Sequence, residues 1–184
     1  GSVPLETLAT MDPREGLHFA APLGEGENGR IRFELAGKPQ EANLGEGVTW
    51  DTGHVAAKAF RPPPGRTLES AAAGDFDNHQ PFSFGAWIKI SKAGATGAVF
   101  ARMDDQNAFR GWDLWLENGS FGSHIINRWQ DDALKVVSKK KLAPGQWQHV
   151  FVTYDGSSKA EGLKLYHNGE SQGEINVAAN ALKS

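Results

Sequence analysis

The stretch Gln146-Trp147-Gln148-His149-Val150-Phe151-Val152-Thr153-Tyr154-Asp155-Gly156, followed by Leu163-Lys164-Leu165-Tyr166-His167-Asn168-Gly169, constrains this chain more than any other. Alternation puts Val150, Val152 and Tyr154 on one face of a strand and His149, Phe151 and Thr153 on the other. Asp155-Gly156 and Asn168-Gly169 are turn formers, because Gly and Asn enter positive φ at little cost. A strand, a loop and a second strand ending in an Asn-Gly turn specify β structure.

The same alternation recurs upstream. Phe82, Phe84, Ala86, Ile88 and Ile90 alternate with Ser83, Gly85, Trp87 and Lys89, predicting a long half-buried strand. Gly97 to Arg102 and Gly111 to Leu116 read as further strands, and Glu117-Asn118-Gly119-Ser120 as a hairpin turn. Phe121 to Ile126 returns, and Leu134 to Val137 follows a polar loop. Before about Pro64 the pattern is less regular. Leu17-His18-Phe19, Ile31 to Leu35 and Val48-Thr49-Trp50 read as short strands. Arg61-Pro62-Pro63-Pro64-Gly65 is too short for a domain linker and reads as a stiff surface connection. No sustained helical period occurs. The expectation is an all-β, two-sheet antiparallel jelly-roll sandwich, a single domain over residues 1–184. Gly1-Ser2 reads as a cloning scar, so the chain is taken as a piece of something larger.

Composition narrows the function. The 184 residues are 39% hydrophobic and 22% charged, enough for a packed core. A net charge of −3 without strong clustering argues against a nucleic-acid surface, and Lys139-Lys140-Lys141 reads as a solvated turn. The absence of cysteine removes disulfides, thiolate metal sites and cysteine nucleophiles. No apolar run approaches the roughly 18–20 residues of a helical membrane span.

Pro81-Phe82-Ser83-Phe84-Gly85-Ala86-Trp87-Ile88-Lys89, Trp147 to Gly156 and Leu163 to Gly169 together resemble the strand motifs of LamG-like, concanavalin A-like lectin/glucanase jelly-roll modules. Order and spacing agree, and the resemblance covers roughly residues 54–170. More narrowly, Arg102-Met103-Asp104-Asp105 with Arg110-Gly111-Trp112-Asp113-Leu114 is similar to modules of large exported bacterial proteins that also carry c-type cytochrome domains. The resemblance implies an extracellular or periplasmic module. It also implies closing strands, among them a late Gly-x-Ile-Asp-type segment, without which the chain is expected to stop at Ser184. A missing final strand would bare an edge open to a strand-exchange dimer or to other domains of the parent protein.

The chemistry of catalysis is thinly represented. Glycoside hydrolysis needs two carboxylates about 5–10 Å apart on one cleft. The Glu-x-Asp-x-x-Glu run that the resemblance would demand is absent, and Asp75-Phe76-Asp77 falls in a loop. No His-Glu-x-x-His, Gly-x-Ser-x-Gly or phosphate-cradling Gly-rich motif occurs. The chain is therefore read as a non-enzyme, with a glycan lyase or hydrolase as a minor alternative. Calcium would need six to eight oxygens. Asp104, Asp105 and Asn107 form the candidate set in one loop, and Asp131-Asp132 clusters acceptors in another. Gly24 to Gly29 is the nearest equivalent of the family's calcium loop, with Glu25, Glu27 and Asn28 as donors.

Aromatic residues carry the functional expectation. Sugars present flat C–H faces ringed by hydroxyls, so a lectin-like site pairs an aromatic platform with amide, carboxylate and Arg groups. If Val150 and Leu114 face the core, parity turns Trp87, Trp115 and Phe151 outward, while their place in the family's core motifs favours buried roles for Trp87 and Trp147. Trp112 shares a face with Leu114 and Leu116 and is assigned to the core. Asp113, Trp115, His124, Asn127, Arg128 and Trp129 form the expected contact set, with Trp129 stacking on a polysaccharide. The alternative is a protein-interaction or spacer module without glycan binding.

Overall fold

The computed structural model describes residues 15–27, 29–63, 69–70, 72–179 and 181–183. Backbone contacts divide the chain into two compact units, residues 1–74 and 75–184.

In the first unit, β1 (Phe19–Ala20), β2 (Arg30–Leu35) and β3 (Lys38–Asn43) form an antiparallel sheet in that order. β4 (Thr49–Thr52) and β5 (Lys58–Arg61) form a separate hairpin. The strand expected over Ile31 to Leu35 is present, with Ile31 fully buried and Phe33 beside Phe19 at 5.6 Å. Strand β3 has no apolar alternation and carries Pro39. A proline is tolerated there because β3 is an edge strand. Ala36 and Gly37 turn the chain into it at φ values of 50° and 75°.

Among its described residues the second unit holds nine strands in two sheets. They are β6 (Phe82–Ile88), β7 (Gly97–Asp104), β8 (Arg110–Glu117), β9 (Ser120–Arg128), β10 (Asp132–Ser138), β11 (Gln148–Tyr154), β12 (Leu163–His167), β13 (Glu170–Ser171) and β14 (Glu174–Ala179). One sheet has the order β14-β10-β9-β8-β7 and the other β13-β12-β11-β6, each pairing antiparallel. Among the described residues the only helical turn is a 3₁₀ segment, Ala160–Gly162.

The two sheets meet through the faces that alternation predicts. Leu114, Phe121, Leu134 and Val136 from one sheet share a core with Val150, Val152, Leu163 and Leu165 from the other, all at most 1% exposed. Each such side chain is worth roughly 1.5–3 kcal/mol of burial relative to exposure. Trp112 packs against this core with Phe82, Phe84 and Phe100, as its shared face with Leu114 and Leu116 requires. Tyr154 closes one end, its hydroxyl donating to the Asn78 carbonyl (2.6 Å) and accepting from the Ser158 amide (2.7 Å).

Two expectations are corrected. A late strand does exist, since residues 174–179 pair with β10 as β14 at the sheet edge. Its sequence, Gly173-Glu174-Ile175-Asn176, is a Gly-x-Ile segment with Asn in place of Asp. Trp87 is not in the core. It is 42% exposed, because register pairs it with outward His149 while Ala86 and Ile88 take the inward positions. Trp147 is half-buried beneath the Lys89 ammonium, which lies 5.2 Å from its ring.

Candidate sheet-face site

Strands β8 and β9 pair in a register that sets Trp112 opposite Ile125 and Trp115 opposite Gly122. Asp113 and His124 therefore fall side by side on the outer face, one residue on from the inward Trp112 and Ile125. The imidazole Nδ1 of His124 lies 3.0 and 2.9 Å from the two Asp113 carboxylate oxygens. Facing two acceptors, Nδ1 is assigned the proton. The same carboxylate accepts the backbone N–H of His124 at 2.8 Å. Both side chains are largely buried, so the bonded pair holds the ring in one orientation.

Two indoles meet this ring edge to face. Trp115 is 6.5 Å away at 77° and Trp129 5.4 Å away at 81°. Both are half-buried. Trp129 lies between β9 and β10, and its amide donates to the Ala108 carbonyl at 3.0 Å, tying this loop to the β7–β8 loop. Next to Ala108, Phe109 is 45% exposed, and both residues have positive φ, at 51° and 60°.

The polar members divide. Asn127 and Arg128, expected in the loop, form the end of β9. Asn127 donates from Nδ2 to Asp132 Oδ2 (2.9 Å), and Asp132 Oδ1 accepts the Lys183 amide (2.7 Å). Arg128 instead turns to Asp131 at 3.4 Å, an exposed pair that adds little energy. Lys135, across the ladder from His124, reaches Glu117 at 2.6 Å. The structure thus brings Asp113, Trp115, His124 and Trp129 into one cluster and leaves Arg128 at its rim. Lys135 and Glu117 were not expected there. Their signal lay in the register of β8, β9 and β10, which single-strand alternation does not supply.

Of the calcium candidates, Asp104 is engaged within its own loop. Asp104 Oδ1 accepts the amides of Gln106 (3.1 Å) and Asn107 (3.2 Å), an Asx turn that shapes the β7–β8 loop. Asp105 and Asn107 are exposed. In the first unit, Glu25 Oε1 accepts the Arg32 amide (2.8 Å) while Oε2 is buried without a partner; Asn28 lies outside the described residues. Among the described residues no three His, Cys, Asp or Glu side chains converge.

The second unit is thus a two-sheet antiparallel sandwich with a cluster of rings on the outer face of β8 and β9. The profile of the Concanavalin A-like lectin/glucanases superfamily matches residues 65–184, and the chain belongs to that family. The match begins later than the expected residue 54 and runs through β14. Comparison with curated proteins returns no match.

Proposed function

We propose that this chain is a non-catalytic carbohydrate-binding module whose contact surface is the outer face of β8 and β9. The observation that carries the reading is the convergence of Trp115 and Trp129 on the His124 ring, which the Asp113 carboxylate holds in place. An indole offers a flat apolar surface to pyranose C–H groups. Arg128 at the rim supplies guanidinium donors for sugar hydroxyls, while Asn127 holds Asp132. Rings already fixed by packing and hydrogen bonds lose little freedom on binding.

The carboxylates nearby support binding over hydrolysis. Asp113 is bonded to His124, Asp132 to Asn127 and the Lys183 amide, and Glu117 to Lys135. A hydrolase would need two carboxyl groups turned toward the sugar, one of them to carry and release a proton. The reading carries with it work outside the cytoplasm, as one domain of a longer exported protein.

Affinity electrophoresis through gels containing soluble polysaccharides tests it. Retardation of the wild type, weakened about tenfold in Trp129→Ala, is the expected result. Trp129→Ala retarded as strongly as wild type would remove Trp129 and this face from the binding surface.

A further inference from the structure

The opposite face of the sandwich carries a second row of rings. On β6, β11 and β12, Trp87 pairs with His149, and Phe151 sits between Gly85 and Tyr166. Trp87 and His149 are 5.3 Å apart, and the His149 and Phe151 rings lie 5.8 Å apart, within 20° of parallel. Gly85 leaves room for the Phe151 ring and for the Val150 carbonyl beside it. A Cβ on Gly85 would stand 2.5 Å from Phe151 Cδ2, so the ring occupies the space a side chain would take. The missing side chain and the ring above it form a built platform, with Trp87 at 42% exposure continuing it.

We propose that this face is a second polysaccharide-binding platform, in which Phe151, His149 and Trp87 stack on successive sugars of one uncharged chain. The reading goes beyond the site on β8 and β9 and does not depend on it. Ring steps of 5.3 Å from β6 to β11 and 5.8 Å along β11 make the row long enough for more than one sugar ring. The outward positions of β6, β11 and β12 hold no aliphatic side chain. Beside the rings lie the hydroxyls of Ser83 and Thr153; Lys164 is the formal charge within the three strands, with Lys89 over Trp147 at one end and Asp155 near Lys164 at the other. A protein partner would be met by a mixed hydrophobic core, and a polyanion by a cluster of cations. Rings fringed with hydroxyls match the apolar faces and edges of a neutral glycan instead. Burial holds the His149 pKa below its usual value, which keeps that ring neutral at neutral pH.

Native gels containing hydroxyethylcellulose, xylan or mannan test the proposal with Trp87→Ala, Phe151→Ala and Trp129→Ala. Trp87→Ala decides it, since an exposed residue can be removed with folding intact, as an unchanged melting temperature will show. At least one gel is expected to retard the wild type. Trp87→Ala then binds about tenfold more weakly, both alone and in the Trp129→Ala background. About 0.5 M salt leaves that retardation in place. Failure of all three gels to retard the protein would overturn it, as would wild-type retardation of Trp87→Ala or loss of binding in salt. A dimer that Trp87→Ala abolishes would assign the face to a second copy and overturn it too. Loss of the Trp129 effect alone would sink the first site and leave this one standing.

Discussion

Replacing Asp113 by Ala tests the frame of the sheet-face cluster. Its carboxylate takes three contacts, from the His124 amide at 2.8 Å and from Nδ1 at 3.0 and 2.9 Å. Asp113 is 2% exposed, so water cannot replace it without entering the sheet face. Leaving two donors without acceptors costs about 1–3 kcal/mol each, offset in part because a buried carboxylate no longer has to be desolvated. A net loss of about 2–4 kcal/mol follows, which lowers the melting temperature by roughly 10 °C for a unit of this size. Asp113→Asn keeps an acceptor for the backbone amide and loses about half as much. Urea denaturation of wild type, the two variants, His124→Ala and the double variant gives the coupling between the residues, expected at about 1–3 kcal/mol. A coupling near zero, or Asp113→Ala within about 0.5 kcal/mol of wild type, would refute the argument that this pair fixes the ring.

Stability also responds to pH and should ignore calcium. His167 is buried and donates to Gln148 Oε1 at 3.0 Å; burial first, then the nearby Lys140 charge, lowers its pKa, while Glu170 opposes them. His149 shifts the same way through burial. The unfolded chain thus binds protons at a higher pH than the folded one, so stability is complete above about pH 6.5 and is lost as pH falls through the folded values. Urea midpoints between about pH 8 and pH 5.5 should fall on acidification, less steeply in His167→Gln, and a midpoint that rises would contradict the sign. Because Asp104 closes its own turn, millimolar calcium or a chelator should leave melting temperature and polysaccharide retardation unchanged. A calcium-dependent rise in melting temperature would restore a metal site.

The sequence shows the sandwich wherever one strand face is apolar and the other polar. Val150, Val152 and Tyr154 announce β11, and Leu114 with Trp112 announces β8, because burial on one side imposes a period of two. Strands held by their neighbours alone are silent. Lys38–Asn43 and Lys58–Arg61 are strands through ladder pairing, which leaves no mark on composition. The cluster of Trp115 with His124 and Trp129 was legible as a set of residue types. Its geometry depended on a cross-strand register that no single segment contains. Trp87 shows the opposite failure. Its place in a core-like motif suggested burial, whereas its parity with Gly85 and Ser83 places it outward.

The position of β14 bears on how the unit comes together. Residues 174–179 pair with residues 134–138, and β6 pairs with β11 across more than half of the unit's chain. Such distant partners must meet before either sheet is complete, which makes folding slow for the chain length. Until β14 arrives, the free edge of β10 presents unpaired amides and carbonyls to any neighbouring strand. Concentration during refolding, more than stability of the finished sandwich, should then decide between monomer and aggregate.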